Sequence, residues 1–104
     1  PLLLTIMALF NTFREIFIIN YLRWQERVKR VPFPTDQELM GYVKVNNIYA
    51  LRDIKQYATN WANPKVFNIL GLLREYDGKS KGIDTGGKSE AQLLQELLLK
   101  IFME

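Results

Sequence analysis

From Leu3 onward, apolar residues recur at Met7, Phe10, Phe13, Phe17, Tyr21, Trp24 and Val28. Steps of three and four residues trace one face of a long helix. A second row at Ile6, Leu9, Ile16 and Ile19 widens that face. At about 1.5 Å per residue the pattern makes a rod of roughly 40 Å, and a rod this apolar is expected to be covered on more than one side. It should end before Val31-Pro32-Phe33-Pro34, because two prolines remove backbone donors and push the residues before them into extended conformations.

Thr35-Asp36-Gln37-Glu38 reads as a capping box that opens a short helix, closed at Gly41 or Tyr42. Asn46 or Asn47 offers the next N-cap, and Ile48, Leu51, Ile54, Tyr57 and Ala58 supply an apolar helical face. Asn63-Pro64 predicts an N-cap followed by proline in the first turn. The stripe Val66, Phe67, Ile69, Leu70, Leu73 and Tyr76 follows, with Gly78 weakening its end. Residues 82–87 hold four glycines or aspartates and read as a loop. Ser89 and Gln92 make a second capping box before Leu93, Leu94, Leu97, Leu98, Ile101 and Phe102. Strand-like alternation and internal repeats are both missing from the sequence. These signals predict an all-α fold of five helices with a long first helix, and one domain over residues 1–104.

Length and composition narrow the chemistry. The 104 residues contain no Cys and no His, which removes disulfides, thiolate and imidazole metal sites, and nucleophiles that depend on a His base. The chain opens on Pro1 inside an apolar run, as expected of a C-terminal fragment of something longer. Residues 2–10 are apolar apart from Thr5. That run is shorter than the roughly 20 residues a bilayer span needs, and Asn11, Arg14, Glu15 and Asn20 interrupt its continuation. A buried soluble helix, with no membrane partner, is the resulting expectation.

The net charge of +3 lies wholly in residues 1–30, where five basic side chains face Glu15 and Glu26; the remaining 74 residues are balanced. Arg23, Arg27, Lys29 and Arg30 thus form a candidate nucleic-acid or acidic-partner patch, set against the plainer reading of cations at a helix C-terminus. Trp24, Trp61 and the six Phe residues are expected in the core.

One motif must be weighed directly. Residues 82–89, with Gly82, Gly87, Lys88 and Ser89 at the defining positions, satisfy the phosphate-loop pattern G-x-x-x-x-G-K-[ST]. Such a loop works when a buried strand before it holds the backbone amides around the phosphates. Here the polar end of a helix precedes it, and too little chain follows for a metal-binding strand. The match is read as coincidental, and no cofactor is expected. The helix pair over residues 35–58 raises a helix-turn-helix alternative, with Asn47, Tyr49, Arg52 and Lys55 as candidate base readers. Its charge is neutral, which is poor equipment for phosphate contacts. Glu75, beside Arg74 and four residues before Lys79, is expected to form a surface ion pair.

The segment Leu73-Arg74-Glu75-Tyr76-Asp77-Gly78-Lys79-Ser80-Lys81-Gly82 resembles the C-terminal domain of the delta subunit of bacterial DNA polymerase III, in the form found in Bacteroidetes-like sequences. Similar pieces are residues 9–13, the Asn60-Trp61 to Lys65-Val66-Phe67 junction and residues 93–101, so the resemblance spans nearly the whole chain. It implies a five-helix collar-type bundle of the clamp loader, the cytoplasmic complex that opens the sliding clamp and places it on primed DNA during replication. The parent complex is a nucleotidyltransferase, a DNA-directed DNA polymerase; the collar itself is implied to be a non-catalytic oligomerisation module with no small-molecule substrate. Its implied partners are the gamma or tau and delta-prime subunits, with DNA contacted only indirectly through the complex. Arg74, Glu75, Tyr76, Asp77, Lys79 and Lys81 are the implied partner interface. In this family the residue 82–89 segment is a variable loop, and residues 23–44 and Gly78 depart from its pattern. The 48% hydrophobic content exceeds what a five-helix core of this size needs, and the excess is expected at surfaces meant for neighbouring subunits.

Overall fold

The computed structural model describes residues 1–103 and shows an all-α chain of five helices, with no strand among the described residues. They are α1 (Leu2–Trp24), α2 (Asp36–Val43), α3 (Ile48–Asn60), α4 (Asn63–Ser80) and α5 (Glu90–Phe102). A π-helical turn, Gln25–Lys29, extends α1 without a break, so the rod runs 28 residues, about 42 Å at the α-helical rise. Arg30 stops it by turning left-handed (φ 57°), and Pro32 and Pro34 then carry the chain away.

The capping signals explain most of the boundaries. Thr35 accepts from the Glu38 amide while Glu38 reaches back to the Thr35 amide, which satisfies two otherwise orphaned donors. Asn47 accepts from the Ala50 amide at 2.8 Å to open α3, and Ser89 with Gln92 repeats the box for α5. The end of α2 falls one residue past its expected limit, at Val43, and α4 continues through Gly78 to Ser80. Asn63 is not the N-cap of α4. Ala62 holds that place, and the Asn63 amide instead donates to the Phe17 carbonyl of α1 at 3.1 Å. Asn20 completes the clasp by donating to the Trp61 carbonyl at 2.7 Å and to Asn63 Oδ1 at 3.1 Å.

All four other helices contact α1. Its buried residues are Leu2, Ile6, Phe13, Ile16 and Ile19. They meet Leu39 and Val43 from α2, Leu51, Ile54 and Ala58 from α3, Val66, Ile69, Leu73 and Tyr76 from α4, and Leu93, Leu97 and Ile101 from α5, in one core. Trp61 bridges the layers edge-on to Phe13 (5.1 Å, 83°) and Phe102 (5.7 Å, 75°), a favoured aromatic geometry.

One expectation is narrowed here and one overturned. Both rows of α1 enter the core: Ile6, Ile16 and Ile19 of the widening row and Phe13 of the main stripe are buried, Leu9 and Phe17 are half-buried, and Leu3, Met7, Phe10, Tyr21, Trp24 and Val28 toward the two ends are exposed. No residue from 12 to 20 is exposed, so the rod is covered on several sides at its middle and on one side near its ends. Its four polar interruptions also leave the helix intact, so α1 is long and apolar enough, by length and composition, to cross a membrane. The aromatic residues divide likewise: Phe13 is buried and Trp61 partly so, while Trp24, Phe10, Phe67 and Phe102 are exposed. The physical reason is that apolar residues surround α1, so periodicity admits both rows and only the shape of the other four helices selects which residues of each are buried.

The exposed ends of the rod are visible in the overall dimensions. The chain measures 49 × 27 × 20 Å with a radius of gyration of 15.6 Å, against about 13 Å for a compact domain of this length. Its accessible surface is 7023 Å², against about 6,000 Å² expected for the mass.

Replacing Ile16 by Ala is expected to cost about 2–5 kcal/mol, because the methylenes removed are buried and leave a cavity. Phe10→Ala, on the outer row, is expected to cost less than about 1 kcal/mol. Urea unfolding of both variants, followed by circular dichroism, checks the assignment of the two rows.

Candidate functional surfaces

Three places hold the side chains that chemistry or recognition could use: the α4–α5 junction with its loop, the outer side of α1, and the rod's basic end.

At the junction, α4 leads directly into the loop, where Gly82, Gly86 and Gly87 have positive φ and Asp84 joins them at φ 50°. The chain can reverse within a few residues because glycine adopts these conformations without steric cost. No strand among the described residues supports the loop. Lys88 is ion-paired to Glu96, and Ser89 Oγ accepts from the Gln92 amide at 3.2 Å. The side chains at Lys88 and Ser89, which a phosphate loop would turn to its nucleotide, are thus occupied in holding α5, while Gly82 and Gly87 serve the turn.

Glu96 is the centre of this junction. It accepts hydrogen bonds from Lys88 and from the Tyr76 hydroxyl, and Lys100 approaches it at 3.8 Å. The Lys88 and Tyr76 hydrogen bonds hold the Glu96 carboxyl down to about 2. Burial, and then the hydrogen bond to Glu96, push the Tyr76 hydroxyl up, so it stays protonated as a donor. Lys79 and Lys100 lie over the Tyr76 ring at 5.5 and 5.2 Å, within cation–π range. Every member has its partner inside the cluster. It therefore acts as a clamp between α4 and α5, with no nucleophile or base left over. Among the described residues, no group of three or more acidic side chains is placed to hold a metal ion.

The second place is where α1 meets α4. Met7, Phe10 and Asn11 of α1 and Arg74 and Asp77 of α4 line a groove of about 370 Å³. Arg74 continues into a neighbouring hollow with Glu75, Lys79, Ile83 and Asp84. Leu3, Leu4, Met7 and Phe10 extend the apolar surface along the rod. Arg74 and Asp77 are thereby brought to the apolar face of α1, a juxtaposition the sequence pattern alone did not predict. The side chains of the Arg74-to-Lys81 segment do not all reach the surface: Tyr76 is fully buried and belongs to the domain's own core, contrary to its place in the implied interface. The helical period that makes Val66, Ile69, Leu73 and Tyr76 one stripe was the signal for this. Glu75 and Lys79 form the expected ion pair at 3.9 Å, and Asp77 pairs with Lys81 at 3.0 Å.

The third place is the end of the rod. Tyr21, Arg23, Trp24 and Arg27 face Asn63 and Pro64 across a cleft of about 580 Å³. Arg23 donates to the Lys55 carbonyl at 3.2 Å, while Arg27, Lys29 and Arg30 are exposed. Of the four helix-turn-helix candidates, Asn47 is spent on its cap and Lys55 on an ion pair with Asp36 at 2.7 Å. Arg52 lies over the Tyr49 ring at 5.6 Å. No observation favours that alternative.

Comparison with family models, curated proteins and solved structures finds no match to this chain.

The clamp sets a pH dependence. The folded-state pKa of Glu96 lies below the ordinary carboxylate value of 4.5, so its stabilising contribution is complete above about 4.5 and is lost as pH falls toward 2. Thermal melting of the native chain should weaken through that window. Glu96→Gln should melt lower at neutral pH and show a shallower fall; equal slopes for the two proteins would contradict the clamp.

Proposed function

We propose that this chain is a non-catalytic assembly module, and that the assembly is the ring of a bacterial clamp loader, with this chain as the collar of a delta-type subunit. The first half of the reading is carried by one observation: the apolar row Leu3, Met7 and Phe10 lies uncovered beside the groove that Arg74 and Asp77 rim. A continuous apolar strip bordered by polar residues has the anatomy of a protein–protein interface. The second half rests on the residue 73–82 resemblance, two of whose charged members, Arg74 and Asp77, stand at that same groove. In this reading the partners are the gamma or tau and delta-prime collars, the location is cytoplasmic, and DNA replication is the process served.

A protein partner explains the face better than a lipid one. The groove is bordered by a guanidinium and a carboxylate, which can pair with complementary groups but are costly against hydrocarbon. The opposite row of α1 is the scaffold for all four other helices, so inserting α1 into a bilayer would strip the core of its central wall.

Light scattering of the chain mixed with gamma or tau and delta-prime collar domains should give a hetero-complex of defined mass. The paired substitution Met7→Glu and Phe10→Glu should weaken assembly more than about tenfold, as loss of hot-spot side chains does, while leaving the melting curve close to native. Separate elution of unmodified components, or full assembly by the doubly substituted chain, would overturn the proposal.

A further inference from the structure

The cleft at the end of the rod combines fixed cations with an exposed aromatic step. Arg23 and Arg27 stand four residues apart, about 6 Å along the helix, on one wall of a cleft of about 580 Å³ whose lining includes no carboxylate among the described residues. Neither guanidinium is ion-paired to a carboxylate among the described residues. Arg23 is held in place through the Lys55 carbonyl, which leaves its remaining N–H groups free to donate. The opposite wall is stiffened by the Asn20–Asn63 clasp, and the first turn of α4 adds no acidic residue.

Tyr21 and Trp24 stack beside these cations with centroids 6.0 Å apart and planes 27° from parallel. Trp24 remains 38% exposed and Tyr21 46%. The Lys29 ammonium lies 5.9 Å from the Trp24 ring. Within residues 20–30, Glu26 is the single carboxylate against four cations. Bidentate guanidiniums match phosphate oxygens, and an exposed indole offers a stacking surface to any base.

We infer that this cleft binds a short stretch of single-stranded nucleic acid, its phosphates on Arg23 and Arg27 and a base stacked on Trp24. An acidic peptide would satisfy the guanidiniums but leave the aromatic step unused. A duplex keeps its bases stacked internally and gains nothing from Trp24. The inference goes beyond the assembly reading and does not depend on it; it asks for a direct contact where the resemblance implies only an indirect one.

The test is fluorescence anisotropy of a labelled ten-nucleotide oligothymidylate titrated with the 104-residue chain over a range of KCl concentrations. Affinity should fall with salt at about 0.7 logarithmic units per phosphate engaged, and tryptophan emission should be quenched on binding. Arg27→Ala should weaken binding and reduce the salt slope by about 0.7. Trp24→Ala should weaken it by about tenfold with the slope unchanged, and Arg14→Ala, about 14 Å along the helix from Arg23, should bind as the native chain does. Circular dichroism confirms that each variant is folded. Any one of four results overturns the inference: no salt-dependent binding, unchanged affinity after Trp24→Ala, equal affinity for a duplex, or equal affinity for a ten-residue polyglutamate.

Discussion

Leu2, Ile6, Phe13, Ile16 and Ile19 form the buried row of α1 on which the other four helices rest, and the shape of the molecule follows from it. Four shorter helices cover the middle of the 28-residue rod, where no residue from 12 to 20 is exposed, and leave its outer row near the two ends to solvent. The Asn20–Asn63–Trp61 clasp fixes where along the rod they sit. It ties the α3–α4 junction to the fifth turn of α1 through hydrogen bonds that a slide of one turn would break. The elongated shape and the extra surface are the result.

How far the fold could be read from the sequence follows the same line. The capping boxes at Thr35 and Ser89, the Asn47 cap and the proline stop after α1 were legible because each is a local matter of side chain and backbone within four residues. The inner row of α1 was not. Leu3, Met7 and Phe10 have as good a helical spacing as Ile6, Phe13 and Ile16, and which of them faces inward depends on contacts made fifty to ninety residues away. Asn63 shows the same competition in one side chain: its local role as a cap lost to a cross-helix bond with Phe17. The candidate surfaces were legible as ingredients only. The basic cluster at Arg23–Arg30 and the Arg74 segment both stood out, but not the cleft against Pro64 or the groove against Phe10.

Long-range context also decides how the residues of the phosphate-loop match are used. A pattern of glycines, lysine and serine becomes a nucleotide site through the strand behind it, and here the same residues close a turn between helices. Lys88 meets Glu96, and Ser89 starts α5. The cluster around Glu96 is saturated, which suits a joint better than a catalyst. The two surfaces that the proposals invoke, the apolar groove near residue 8 and the basic cleft near residue 24, stand about 24 Å apart along α1. At that separation a protein neighbour on one would not block a phosphodiester strand on the other.

Near its N-terminus α1 has one row packed into the core, with Ile6 buried, and one row left exposed, with Met7 and Phe10. Because the chain contains no Cys, single thiols report on this difference directly. The measurement is the labelling rate of Met7→Cys and Ile16→Cys variants with a maleimide dye, in the folded chain and in urea. Met7→Cys is expected to react as fast folded as unfolded, and Ile16→Cys only as the chain opens. Equal protection of the two positions in the isolated chain would contradict it.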